Sequence, residues 1–214
     1  SHRRQEAGRE ELTPRRAAIR PPPLAPHPPS SPGDTAMRGK TIVSPLAPNT
    51  FPVLPPIEGV MVGAYACGLR YQGRDDLMLA TVPPGAAIAG VLTKSKTAAA
   101  PVEWCRKNLG RGKVRAIIAN AGNANAFTGK AGDRTVDEIT RAVAQTIGCS
   151  RNEVFMASTG VIGQPMTTDK IVAGVPKLAR LLRADGWMAA ARAIMTTDTF
   201  PKLATRQAKV GGAT

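Results

Sequence analysis

Three features of the sequence predict an α/β fold. Short β-type runs bounded by turn signals occupy residues 60–67, 77–82 and 87–93. A continuous apolar run, Val114 to Ala119, has the length and composition of a buried strand. Between and after these runs lie stretches with apolar residues at helical spacing, and strands interleaved with helices define the class. The chain has 214 residues, 43% of them hydrophobic and 21% charged, enough for one domain with a sizeable core. No apolar run approaches the roughly 20 residues of a membrane-spanning helix, so no membrane partner is expected.

In chain order, residues 1–36 hold eight of the 19 prolines, both histidines, and six Arg against four acids. They carry almost no bulky apolar side chains, so burial cannot offset their ordering entropy, and they are expected to form a disordered tail. The tail lacks the apolar core of a secretory signal, and its acids and Pro run spoil an amphipathic transit helix. Its Pro run leaves an SH3-type polyproline ligand as a further reading. Composition changes at Met37, which is expected to be the natural start, with the folded part running from 37 to 214. Residues 44–58 read as an irregular segment because prolines interrupt ladder bonding. The Pro-Pro-Gly at 83–85 is a turn. A helix is expected at 99–109, where Pro101 suits the first turn. The clearest helix is 133–148, with Val136, Ile139, Val143 and Ile147 on one face and Gly148 as its cap. A short strand follows at 154–156. A helix at 168–183 carries Ile171, Val175, Leu178 and Leu182 on one side, although Pro176 lies within it. Another spans 185–195. Residues 203–210 read as a strand, Gly211-Gly212 as a hairpin turn, and Ala213-Thr214 as the start of a return strand. A return strand of two residues cannot pair, so the chain is expected to be truncated there.

Some chemistry is excluded. Residues 37–214 contain no histidine, which removes His-based triads and His-ligated metal from the folded part. Cys67, Cys105 and Cys149 form no CxxC pair, so neither a zinc ribbon nor a disulfide framework is expected, and a reducing, cytoplasmic compartment fits. The folded part is basic, but its bases are scattered and its aromatics few. A field that attracts small anionic substrates competes with nucleic-acid binding and is preferred.

Three segments are candidates for a site. Asn120 to Gly132 (NAGNANAFTGKAG) follows a strand and precedes a helix, a place where small residues let a ligand approach backbone. It is not a phosphate-binding P-loop, because residues 124 and 131 are Ala. On the residues alone, a tight connection in which the amides bond nearby backbone is the preferred reading. Ala157 to Gly163 (ASTGVIG) can present N–H groups and a hydroxyl to a developing oxyanion; a plain strand-to-helix turn with a capping hydroxyl is the alternative. Thr196 to Lys202 (TTDTFPK) offers hydroxyls, a carboxylate and an amine to an amino acid, or is simply a polar loop. Cys67 lacks a histidine to activate it and reads as structural. Asp75 and Asp76, adjacent on a strand, point to opposite faces and do not form a shared acid/base pair.

In combination, GAYACGLR, DLMLA, GVLTKSKTAAAPV, IIANAGNANAFTG, FMASTGVIG, AIMTTDTFPK and VGGAT follow one another as they do in the ornithine acetyltransferases (glutamate N-acetyltransferases) of arginine biosynthesis. The resemblance runs from about Ser44 to Thr214. It implies a layered α-β-β-α sandwich and acetyl transfer from N2-acetylornithine to L-glutamate, with acetyl-CoA used as donor by some members and no bound cofactor. It also implies a precursor that cuts itself into α and β chains, assembled as α2β2, whose new N-terminal Thr is the nucleophile and carries its own amino-group base. Carried over by position, Thr159 and Gly160 correspond to the oxyanion-stabilising pair and Thr196 to a substrate-binding residue. The nucleophilic Thr is expected in a glycine-rich segment beyond Thr214, so the chain alone is expected to be inactive. An inactive fragment serving as a structural or interaction chain is the alternative.

Overall fold

The computed structural model describes residues 43–211. The expectations for the 1–36 tail, the Met37 start and the 212–214 return strand lie outside them.

Four strands form one mixed sheet in the order β1-β2-β3-β4: β1 is Met61–Tyr65, β2 Leu77–Thr81, β3 Ala116–Asn123 and β4 Val154–Val161. The first two pairings are antiparallel, and β3 runs parallel to β4. A parallel pair needs a crossover, and α2 (Gly129–Ile147) supplies it. Around the sheet lie α1 (Ala100–Leu109), α3 (Asp169–Ala179) and α4 (Trp187–Ala193). Side chains alternate across the sheet, so Leu77, Leu79, Ile118, Val154 and Met156 share one face. Val136, Ile139 and Val143 of α2 and Ile171, Val175 and Leu178 of α3 close over that face and complete the core. The α/β class therefore holds, with one β layer among the described residues. No described helix is long and apolar enough to cross a membrane.

The helical periodicities are realised. α2 ends at Gly148 with φ 70°, the left-handed cap that a glycine supplies. Pro101 occupies the first turn of α1. α1 flanks β4, where Trp104 Nε1 donates to Val154 O at 2.8 Å and the Cys105 thiol to Met156 O at 3.3 Å, protecting the edge strand.

Several boundaries differ. Residues 87–93 form no strand; a single bridge, Ala87 to Lys113, is all that pairs them, and Val91 stands in solvent. Residues 203–210 likewise form no strand and find no partner strand among the described residues. β3 and β4 are each longer than their apolar runs, because the parallel ladder carries pairing on through Asn120 to Asn123 and Ser158 to Val161. The Ser-Thr-Gly segment is therefore the end of a strand, not a turn after one. α3 stops at Ala179, short of Arg183, which instead bridges Val62 of β1.

The link between β1 and β2 is fixed by one buried carboxylate. Asp76 is fully buried and accepts the N–H groups of Cys67 and Leu69, each at 2.7 Å. Its own carbonyl accepts Ala121 N–H of β3 at 2.8 Å. Asp76→Ala strands two N–H donors and is expected to cost about 2–4 kcal/mol, read as a lowered urea midpoint with an unchanged slope.

Candidate active site at the ends of the parallel strands

The parallel register places Asn120 beside Ser158 and Gly122 beside Gly160. The Ser158 hydroxyl donates to Asn120 Oδ1 at 2.7 Å, and Asn120 Nδ2 donates to Asn123 O at 2.9 Å. Asn123 continues the chain: its Nδ2 donates to Gln164 O at 3.0 Å and its Oδ1 accepts Asn125 N–H at 2.7 Å. Asn125, fully buried, donates to Gly132 O at 3.1 Å and accepts the Thr128 hydroxyl at 2.8 Å. Buried amides need partners, and these three have found them in backbone groups and in the Ser158 and Thr128 hydroxyls. Of the two readings open for Asn120–Gly132, the amides thus support the tight connection. They fasten the end of β3 to the start of α2 and to the segment after β4. Backbone bonds from Ala124 N–H to Val161 O and from Gly163 N–H to Ala126 O, both 2.9 Å, lace the two loops together.

Gly160 sits at an irregularity of the ladder, where Asn123 faces both Thr159 and Val161. Its φ is 131°, a conformation that L side chains rarely adopt, and a Cβ there would lie 2.4 Å from the carbonyl carbon of Gly122. Gly122 has φ 104° and is covered by Arg70 and Tyr71, whose nearest atoms would stand 2.9 and 3.5 Å from a Cβ. The two backbones, paired side by side, thus leave no room for a side chain on Gly160, and Arg70 and Tyr71 crowd the place of one on Gly122. Beside them Thr159 is half-buried and Gly160 exposed. The Thr159 hydroxyl makes no hydrogen bond to protein among the described residues, whereas the neighbouring Ser158 hydroxyl is committed to Asn120.

Thr196 lies elsewhere on the sheet. It follows α4, which packs against β1 and β2. Its N–H reaches toward Asp198 Oδ2 at 3.5 Å. Asp198 pairs with Lys202, whose ammonium also lies 4.6 Å from the Phe200 ring centre. That hydrogen bond from Lys202 holds the Asp198 carboxyl below the usual carboxylate range. Ser44 N–H donates to Thr199 Oγ1 at 3.3 Å. No hydrogen bond or ion pair among the described residues joins this turn directly to Thr159 or Gly160.

Cys67 is half-buried; burial and then the neighbouring Asp76 carboxylate push its thiol up to about 12, which suits a structural thiol and not a nucleophile. Asp75 and Asp76 form no acid/base pair, since Asp76 is spent on backbone N–H groups. Two residues escaped the sequence reading: Tyr71 and Arg74, three apart in the β1–β2 loop, with the guanidinium 4.3 Å from the ring centre. The aromatic-to-cation spacing was a signal; the partners of Arg74, more than 100 residues away, were not.

The chain is thus an α/β protein with a mixed sheet, a close-packed glycine pair at the end of its parallel strands and, among the described residues, an uncommitted threonine hydroxyl beside it. Comparison with known proteins makes the assignment specific. The model of the ArgJ family matches residues 61–214, and the chain belongs to that family. It is 50% identical over 171 residues to the arginine biosynthesis bifunctional protein ArgJ of Bradyrhizobium diazoefficiens, which covers 80% of this chain and 41% of the relative. The corresponding protein of Gluconobacter oxydans is 51% identical over 170 residues, covering 79% and 40%. The crystal structure of ornithine acetyltransferase from Mycobacterium tuberculosis, complexed with ornithine, superposes with a TM-score of 0.64 at 38% identity, over 67% of this chain and 78% of that one. The ArgJ structure from Bacillus halodurans gives 0.62 at 34% identity, over 66% and 74%. The chain thus spans about two-fifths of the length of these curated relatives.

Two outcomes follow from the geometry. Iodoacetamide at pH 8 is expected to leave Cys67 unmodified in the folded chain and to label it in urea, read by peptide mass spectrometry, because a raised thiol pKa leaves little thiolate. Gly160→Ala drives a Cβ into the Gly122 backbone and is expected to destabilise by about 2 kcal/mol or more, read by thermal unfolding.

Proposed function

We propose that this chain supplies the oxyanion-stabilising part of an acetyltransferase of arginine biosynthesis, which moves an acetyl group from N2-acetylornithine to L-glutamate. The observation that carries the reading is the Gly122–Gly160 pairing with the uncommitted Thr159 hydroxyl beside it. In this reading the nucleophile is a threonine in the part of the family length that the chain does not span. Attack of its hydroxyl on the acetyl carbonyl, with its own amino group taking the proton, creates a tetrahedral oxyanion; collapse breaks the amide C–N bond and releases ornithine with that proton, and the acetyl ester on the threonine is then taken by the glutamate amine. The Thr159 hydroxyl and the Gly160 N–H are the donors aimed at the oxyanion. They act best if fixed before charge develops, which an immovable strand end provides. Thr196 holds the amino-acid substrate, in keeping with the ornithine named for the Mycobacterium tuberculosis structure. The basic surplus of the sequence favours anionic glutamate by long-range attraction. The working enzyme is cytoplasmic, uses no bound cofactor, and pairs this chain with the β chain of the same precursor as α2β2.

The test uses a chain of family length in which residues 61–214 of this sequence replace the matching stretch of the Bradyrhizobium diazoefficiens relative. Acetyl transfer from N-acetylornithine to glutamate is the expected activity. Thr159→Ala is expected to lower kcat about 100-fold or more, with KM little changed, because the lost donor serves the transition state alone. Absence of transfer in a folded protein, or an unchanged kcat in the variant, removes the reading.

A further inference from the structure

The Thr196 turn and the Thr159–Gly160 strand end make no direct bond, yet one loop touches both. Residues 66–76, between β1 and β2, are anchored at three places. Asp76 ties Cys67 and Leu69 inward and binds Ala121 N–H, one residue before Gly122. Lys170 of α3 donates to Gly68 O at 2.7 Å. Tyr71 and Arg70 then lie over Gly122, which is paired with Gly160. The Arg74 guanidinium stacks 4.3 Å from the Tyr71 ring centre and extends away from the glycine pair. Its Nη2 donates to Met195 O at 2.5 Å and to Arg192 O at 3.3 Å, and its Nε contacts Asp75 O at 3.4 Å. Met195 is the residue before Thr196. The loop thus reaches from the strand end, where Arg70 and Tyr71 occupy the space a Cβ on Gly122 would need, through the Tyr71–Arg74 pair to the peptide group that begins the Thr196 turn.

We infer that Arg74, its guanidinium over the Tyr71 ring, is a positioning residue that sets the Thr196 turn against the Thr159–Gly160 strand end. The carbonyls it binds lie at the C-terminal end of α4, where helix groups lack partners and a cation is favoured. A planar guanidinium suits this place because it stacks on a ring and donates in its own plane at once; an ammonium does not. If Thr196 holds substrate, its distance from the oxyanion donors sets where the scissile carbonyl sits, and small misplacements there are costly. The inference rests on the proposed function for the role of Thr196, but the mechanical claim stands on the contacts alone.

The test has two parts. Hydrogen exchange on this chain compares the parent with Arg74→Ala, Arg74→Lys and Tyr71→Leu. Arg74→Ala is expected to speed exchange of the Thr196 and Thr197 amides about 10-fold or more while β3 and α2 stay protected. Tyr71→Leu, which removes the stack, is expected to do the same in part. In the family-length chimera, Arg74→Ala is expected to raise KM for N-acetylornithine about 10-fold with kcat within about 3-fold, and Arg74→Lys to recover part of that loss. A plain helix cap would loosen α4 and lower Tm without moving KM. Unchanged exchange at Thr196 in Arg74→Ala overturns the inference, and so does an unmoved KM in an active chimera. If the parent chimera transfers no acetyl group, the proposed function has failed, and exchange alone decides whether Arg74 positions the turn.

Discussion

Gly122 and Gly160 meet where the parallel strands end, and a single added methyl on Gly160 would stand 2.4 Å from the opposing carbonyl carbon. This pairing determines much of what surrounds it. Gly160 adopts a φ of 131° because the ladder slips at that point, with Asn123 facing two residues of β4. Strand alternation sends the two hydroxyls beside it to opposite faces. Ser158 turns to Asn120 and is consumed, whereas Thr159 has no hydrogen-bond partner among the described residues. A backbone held this closely cannot relax when charge appears near it, which is the property demanded of donors that must be in place before the reaction begins.

The asparagines show how the pairing is maintained. Each buried amide of Asn120, Asn123 and Asn125 is spent on a carbonyl, a hydroxyl or a backbone N–H within the two loops. Unpaired, such groups would be destabilising; fully paired, they make the loops one rigid body with the strand ends. Asn125 and Phe127 even accept positive φ to close this network. An asparagine-rich loop that looks ready to grip a ligand instead spends its amides on fastening the two loops to the strand ends.

What the sequence made legible follows from the range of the interactions involved. The faces of α2 and α3, the Gly148 cap and the Pro101 start were readable because they depend on residues three or four apart. The strand ends were not. Asn120 and Ser158 are polar, and their inclusion in β3 and β4 comes from a parallel register between segments 38 residues apart. Segments 87–93 and 203–210 are in no strand for the converse reason: among the described residues the first pairs only through Ala87 and Lys113 and the second joins no ladder, and a β-type composition makes a strand only where a partner lies alongside. The resemblance to ornithine acetyltransferases singled out Thr159, Gly160 and Thr196, and the fold explains why two of them are placed as they are. Tyr71 and Arg74 were invisible because Met195 lies 121 residues from Arg74.

The two places that the β1–β2 loop reaches are held by different kinds of interaction. The strand end is fixed by backbone pairing and buried amides, interactions that have no neighbouring state of similar energy. The Thr196 turn is held differently, by charge-assisted bonds from Arg74 and by the Asp198–Lys202 pair at the surface, which water screens. A turn secured in this way depends on few bonds, so the Arg74 contacts to Met195 and Arg192 carry much of its placement, whereas the strand end is held by many. The β1–β2 loop, pinned by Asp76 and reaching both places, is where the part of the fold held by many bonds meets the part held by few.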